Sequence, residues 1–186
     1  EISLGLVGSE MSIRDRFIRV CISLFLAMFV AYGVYTWIAP YLDETAGFSA
    51  GQISLALALS VAAGIPATLL AGWLADRSGR PLLVASAGFS MVTALLVLAA
   101  VDEISFALAT IVAIIATFGT AGALVPLFVL PSRVVEPAGV AKATGIATAI
   151  AMSGALVSTV LGGRLVGWTD GYTVPFIVYV CAMALA

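Results

Sequence analysis

Charged side chains are absent from six long stretches of this 186-residue chain. The first five stretches are each long enough for the roughly 20 residues that a helix needs to cross the hydrocarbon core of a bilayer. They are continuously apolar and do not alternate with polar residues, which favours helices over a barrel of strands. The chain is therefore predicted to be all-α, a polytopic membrane protein. Six transmembrane helices are predicted, the last truncated at the chain end: 20–42, 50–75, 81–101, 104–131, 143–165 and 173–186.

The composition excludes several classes of protein. Hydrophobic residues make up 62% of the chain and charged residues 10%, whereas soluble domains carry about 25% charged residues. A soluble enzyme, a disordered chain and a nucleic-acid binder are excluded, the last also because the net charge is -2. Histidine is absent, so Ser153 has no partner for serine-protease chemistry. No catalytic residue, metal site or cofactor is predicted, and Cys21 and Cys181 are interpreted as unpaired residues in apolar stretches.

Basic residues lie almost entirely on one side of the predicted membrane. Lys and Arg in short loops mark the cytoplasmic side. The N-terminal segment 1–19, predicted to be a linker or interfacial segment, and the loops 76–80 and 132–142 are therefore expected to be cytoplasmic, in a plasma membrane. The seven basic residues on this side, against Arg164 alone on the other, are Arg14, Arg16, Arg19, Arg77, Arg80, Arg133 and Lys142.

The loop after the second predicted helix carries a specific motif, in which Gly72, Asp76, Arg77, Gly79 and Arg80 have the spacing G-x-x-x-D-R-x-G-R. A glycine allows close helix approach, and a second glycine suits a tight turn. An aspartate at a helix C-terminus is unfavourable unless a helix N-terminus or an arginine compensates it. In spacing, in position and on its arginine-rich side, this loop resembles the signature loop of the major facilitator superfamily.

The resemblance implies that residues 20–186 form one six-helix half of a twelve-helix transporter. Its partner is then the other half or a second copy. The polar segment before the first helix and the charge-free fourth helix resemble the family's C-terminal half. A short similarity between the ends of helices two and five, with Gly72 and Gly163 offset by 91 residues, predicts a 3+3 inverted repeat. The family pattern further implies that Asp76 clasps the other half when the transporter opens outward.

In this family the first and fourth helices of each half line the central cavity. The resemblance therefore makes polar side chains of these helices the cavity candidates: Tyr32, Tyr35, Thr36, Thr117 and Thr120. The alternative is that they only make hydrogen bonds between helices. Small residues in the fifth helix predict close helix packing, at Gly145, Ala149, Ser153, Gly154 and Ser158.

The predicted function is transmembrane transport of a small solute, organic or anionic, by alternating access. Apart from Arg164, near the end of the fifth, no charged residue lies inside a predicted span, so any ion-coupling group belongs to the other half, or the protein is a facilitator. The alternative is a six-helix membrane sensor or scaffold that transports nothing. The expected surroundings are the lipid bilayer and a small-molecule substrate.

Overall fold

The computed structural model describes residues 2–44, 47–80, 84–85 and 105–184, with side chains described between residues 13 and 182. Every regular element in these ranges is helical. The helices are α1 (Ile2–Glu44), α2 (Ala50–Ser78), α3 (Phe106–Val134), α4 (Val140–Thr169) and α5 (Thr173–Ala184), with a short 3-10 turn at Pro137–Gly139 before α4. Thus α3, α4 and α5 correspond to the fourth, fifth and sixth predicted helices. The third predicted helix, 81–101, lies outside the described residues except for helical Val84 and Ala85.

Helix α1 differs most from its predicted bounds, because it begins at Ile2 and not at residue 20. The segment expected to be a linker is helical and continuous with the first span. Its composition favours this, since Arg and Glu are good helix formers and the segment holds no proline. Arg19 Nε also donates to the backbone oxygen of Asp15 one turn earlier, at 3.3 Å. The charge-free run predicted only the membrane-spanning part of the helix, from residue 20, and the helix itself begins 18 residues earlier.

Local signals fix the ends of the other helices. Ser49 caps α2: its hydroxyl accepts from the Gln52 amide, and its own amide donates to Gln52 Oε1 at 3.0 Å. Gly79 ends α2 with φ +63°, the left-handed conformation that glycine adopts without strain. Ser105 caps α3 in the same way through the amide of Leu108. Helix α2 runs to Ser78, three residues beyond the predicted end at 75. Its charged last turn is helical, and the helix ends only at Gly79.

The described helices pack as two close pairs, α2 with α3 and α1 with α4, while α5 covers the α1–α4 pair. Helices α1 and α2 touch little. Two larger apolar clusters and a small one, formed by Val112 and Ala116, fill the interior of the described part of the chain. One of the larger clusters lies around Phe29, Tyr41 and Tyr179, and the other around Leu24 and Leu127. Four of the helices are long and apolar enough to span a membrane, and α5 is a shorter apolar helix.

Close packing on α4 is found, but on a different face from most of the predicted residues. Gly145, Ala149 and Ser153 are exposed, and no described residue would lie within 4 Å of a methyl group at Gly145. These three lie on a second small-residue face of α4, which does not meet α1. The buried face repeats every three or four residues: Ala143, Ala147, Ala151, Gly154, Ser158 and Gly162.

Two glycines of α4 and one of α1 allow the closest approaches. A methyl group at Gly154 would overlap the backbone oxygen of Phe25 on α1. A methyl group at Gly162 would overlap Trp37, and one at Gly33 would overlap Tyr179 of α5. These three helices therefore meet directly at glycine backbones, with no room for a larger residue at the contacts.

Candidate transport groove and signature segment

A groove of about 300 Å³ is lined by residues of α1, α2 and α3. Most of its wall is apolar. It is lined by Ala31, Val34, Tyr35, Ile38, Leu57, Ser60, Gly64, Thr68, Ala113, Ala116, Thr117, Thr120, Ala121, Leu124 and Val125. No charged side chain is among these residues. The groove can therefore accommodate an apolar body and can offer it a few neutral polar contacts.

Three of the five predicted cavity residues line the groove. Tyr35 projects from α1, with 61% of its surface exposed. Thr117 and Thr120 lie one turn apart on α3, and both are half-buried. Tyr32 is exposed and Thr36 is half-buried, and neither lines the groove. Tyr32, Tyr35 and Thr36 are at positions i, i+3 and i+4, which share one broad face of α1. Only Tyr35 of this face lines the groove.

Helix α2 contributes residues that the sequence reasoning missed. Ser60, Gly64 and Thr68 line the groove, and they recur every four residues along the helix. Gly64 leaves space for Thr117: a methyl group there would lie 3.2 Å from Thr117 Cγ2. The spacing of four was the available signal, since it places small and hydroxylated residues on one stripe of an apolar helix.

Most hydroxyls of the groove already hold a hydrogen bond within their own helix. Ser60 Oγ donates to the backbone oxygen of Ala56 at 2.7 Å, and Thr117 Oγ1 donates to that of Ala113 at 3.0 Å. Thr68 Oγ1 lies 2.8 Å from the backbone oxygens of both Gly64 and Ile65. Such bonds to the preceding turn are usual for Ser and Thr in apolar helices.

The signature segment forms the end of α2 and the turn after it. Gly72, Asp76 and Arg77 are in the last two turns of the helix, Gly79 is its left-handed cap, and Arg80 follows. The permissive backbone expected at Gly79 is therefore present. Close helix approach at Gly72 is not found among the described residues, because a methyl group there would be 3.9 Å from Val125, an ordinary contact.

Asp76 is compensated by an arginine of the neighbouring helix. Its Oδ1 lies 3.6 Å from Arg133 Nη2, at the C-terminal end of α3. Asp76 remains 81% exposed and Arg133 42% exposed, so this ion pair leaves most of the carboxylate accessible. The guanidinium of Arg77 lies over the ring of Trp73 at 5.3 Å, a cation–π contact one turn back. The described residues contain no cluster of three or more metal-ligating side chains.

These features define an all-helical, polytopic integral membrane protein with an uncharged groove between its spans. Residues 20–186 match the sequence profile of the Major Facilitator Superfamily. A gentisate transporter of Corynebacterium glutamicum is 31% identical over 179 residues, which are 92% of this chain and 39% of that protein. A glycerol-3-phosphate transporter of Bacillus subtilis is 47% identical over 49 residues, 26% of this chain and 11% of that protein. The chain belongs to the major facilitator superfamily, and it spans well under half the length of either relative.

Proposed function

We propose that this protein moves a small organic solute across the membrane by alternating access. The observation that carries the proposal is the groove, an uncharged cleft that opens between three membrane-length helices of a superfamily member. An apolar cleft with a few neutral polar groups suits a small organic molecule. The two relatives are named for gentisate and glycerol 3-phosphate, which are both organic anions, and this favours an organic anion as the solute.

The path is completed by a second six-helix unit, either the other half of a twelve-helix protein or a second copy of this chain. The groove supports this, because the described helices enclose it only in part. We assign the chain to the C-terminal half, on the grounds of its charge-free α3 interior and the polar start of α1.

We further propose that the unit contains six helices related by a 3+3 inverted repeat. The offset of 91 residues supports it, since that shift brings the bounds of α2 to within one residue of those of α4. It also brings the end of α1 to within one residue of the end of α3. The proposed repeat relates α2 to α4 and α3 to α1. It therefore relates the close pair α2–α3 to the other close pair, α4–α1.

The signature segment serves as a gate in this proposal. The exposed Asp76 carboxylate clasps the second six-helix unit in the outward-open state, and Arg133 holds it within this chain. The basic residues support a cytoplasmic position for this segment in a plasma membrane, with Arg133 and Lys142 on the same side.

The test is solute counterflow with the natural polypeptide reconstituted into liposomes. Vesicles loaded with unlabelled gentisate or glycerol 3-phosphate are diluted into the labelled solute. A carrier that alternates between two faces accumulates label transiently, whereas empty liposomes do not. Binding of these solutes without any accumulation, coupled to association with another protein, would instead support the sensor or scaffold.

A further inference from the structure

We infer that the groove binds the uncharged, hydroxyl-bearing part of the transported solute, while any ionised group of that solute lies outside the groove. This inference rests on the proposed transport function. It names the part of the solute that this six-helix unit binds. It is drawn from the hydrogen bonds that the hydroxyl groups of the groove already make.

Three hydroxyl groups in the groove can only accept a hydrogen bond from a ligand. A hydroxyl has a single proton, and Ser60, Thr68 and Thr117 have each given theirs to a backbone oxygen of their own helix. The lone pairs that remain on the exposed Thr68 and the half-buried Thr117 are available to a donor, whereas Ser60 is only 3% exposed. The groove therefore matches a ligand that brings O–H groups of its own.

Two further hydroxyl groups supply donors. Tyr35 and Thr120 line the groove, and no hydrogen bond to either is found among the described residues. Each can therefore donate to a ligand oxygen as well as accept. The five hydroxyls together offer more acceptors than donors, which favours ligand hydroxyls over ligand carboxylates.

An ionised group is disfavoured in the groove for a second reason. A carboxylate or phosphate placed there would lose water and gain no cation, since no charged side chain is among the lining residues. Two neutral donors do not replace a full hydration shell. The apolar wall, which includes Val34, Leu57 and Leu124, instead favours a ring or a carbon chain.

The experiment compares pairs of probes that differ only in their hydroxyl groups. Gentisate is paired with benzoate, and glycerol 3-phosphate with propyl phosphate. The natural polypeptide and its Thr117→Val variant are reconstituted, and both binding and competition for uptake are measured for each pair. Thr110→Val is the matched control, because Thr110 is on the same helix, donates to Phe106 in the same way and does not line the groove.

We expect Thr117→Val to weaken binding of the hydroxylated probe by roughly three- to tenfold, the effect of one lost neutral hydrogen bond. Binding of the hydroxyl-free probe should change by less than about twofold, Thr117→Ser should restore the wild-type ratio, and Thr110→Val should change neither probe. Equal losses for both members of a pair, or no binding of either pair, would overturn the inference. Selective binding without uptake would overturn the transport proposal alone.

Discussion

The hydroxyl of Tyr172 donates a hydrogen bond to Oε2 of Glu44 at 2.6 Å, which joins the last residue of α1 to the turn before α5. Tyr172 is buried, and its ring meets that of Tyr41 edge-on with centroids 5.8 Å apart. Burial, the hydrogen bond to Glu44 and the negative charges of Glu44 and Asp43 raise the pKa of Tyr172 to about 12. The connection between the two helices thus depends on a neutral phenol.

This connection should make stability depend on pH in the alkaline range. The folded pKa of Tyr172 is above its ordinary value of about 10, so its stabilising contribution is complete below about pH 10 and is lost as the pH rises towards 12. The free energy of unfolding in detergent should therefore differ between wild type and Tyr172→Phe by a constant amount up to about pH 10. Above that pH the difference should shrink. A difference that grows with alkaline pH would contradict the assignment.

Glu44→Gln separates the effect of charge from that of hydrogen bonding. Glutamine still accepts from the Tyr172 hydroxyl but removes the adjacent negative charge, so the pKa of Tyr172 should fall from about 12 towards its ordinary value. The measurement is an ultraviolet titration of tyrosinate, with Tyr172→Phe used to identify the late-titrating group. An unchanged titration in Glu44→Gln would mean that burial, the hydrogen bond and the charge of Asp43 raise the pKa without the charge of Glu44.

The contact between α1 and α4 predicts a large effect from a single methyl group. In Gly154→Ala the new Cβ overlaps the backbone oxygen of Phe25, so the two helices must separate. Overpacking of this kind costs about 1–3 kcal/mol, and the thermal unfolding temperature in detergent should fall. Gly145→Ala is the control on the same helix: no described residue lies within 4 Å of the new Cβ, and alanine is the better helix former, so its unfolding temperature should hold or rise. Equal effects of the two changes would contradict the close packing at Gly154.

Asp76 could act through its ion pair with Arg133 or through a contact with the second six-helix unit, and substitutions of the two residues distinguish these roles. Both side chains are largely exposed, so breaking their pair should cost less than about 1 kcal/mol of stability. If Asp76 also clasps the second six-helix unit, Asp76→Asn should lower transport much more than Arg133→Gln does, with normal membrane insertion in both. Initial uptake rates in reconstituted vesicles give the comparison.

The double variant completes this test. If Asp76 acts only through Arg133, the two single changes and the double change should all lower transport equally. Unchanged transport in Asp76→Asn would remove the gating role altogether.

The sequence predicted the helices well because lipid allows few alternatives to them, and four spans follow from runs without charge. It also predicted the turn at Gly79, where one backbone conformation requires glycine. It did less well wherever the face of a helix had to be chosen. An all-apolar helix has no polar side to mark its outward face, so Gly145 and Ser153 were assigned to packing although they are exposed. For the same reason the sequence did not distinguish Tyr35, which lines the groove, from Tyr32, which does not.

Two buried serines provide a last prediction, because the hydroxyl of one has a hydrogen-bond partner in the described part of the chain and that of the other has none there. Ser60 is 3% exposed and donates to Ala56 at 2.7 Å. Ser158 is fully buried, and its hydroxyl has no partner among the described residues, although its backbone oxygen accepts from Tyr179. An unsatisfied buried hydroxyl costs about 1–3 kcal/mol, while a satisfied one in a membrane helix contributes about 0.6 kcal/mol.

Replacement by alanine should therefore change stability in opposite directions at the two serines. Ser158→Ala should raise the free energy of unfolding by about 1 kcal/mol, since it removes the unpaired hydroxyl and leaves the bond from Tyr179 to the backbone in place. Ser60→Ala should lower it by about half as much. Chemical unfolding of both variants in the same detergent measures the difference. Destabilisation of both proteins would show that the Ser158 hydroxyl has a partner in the membrane, with a bound water between α1, α4 and α5 as the first candidate.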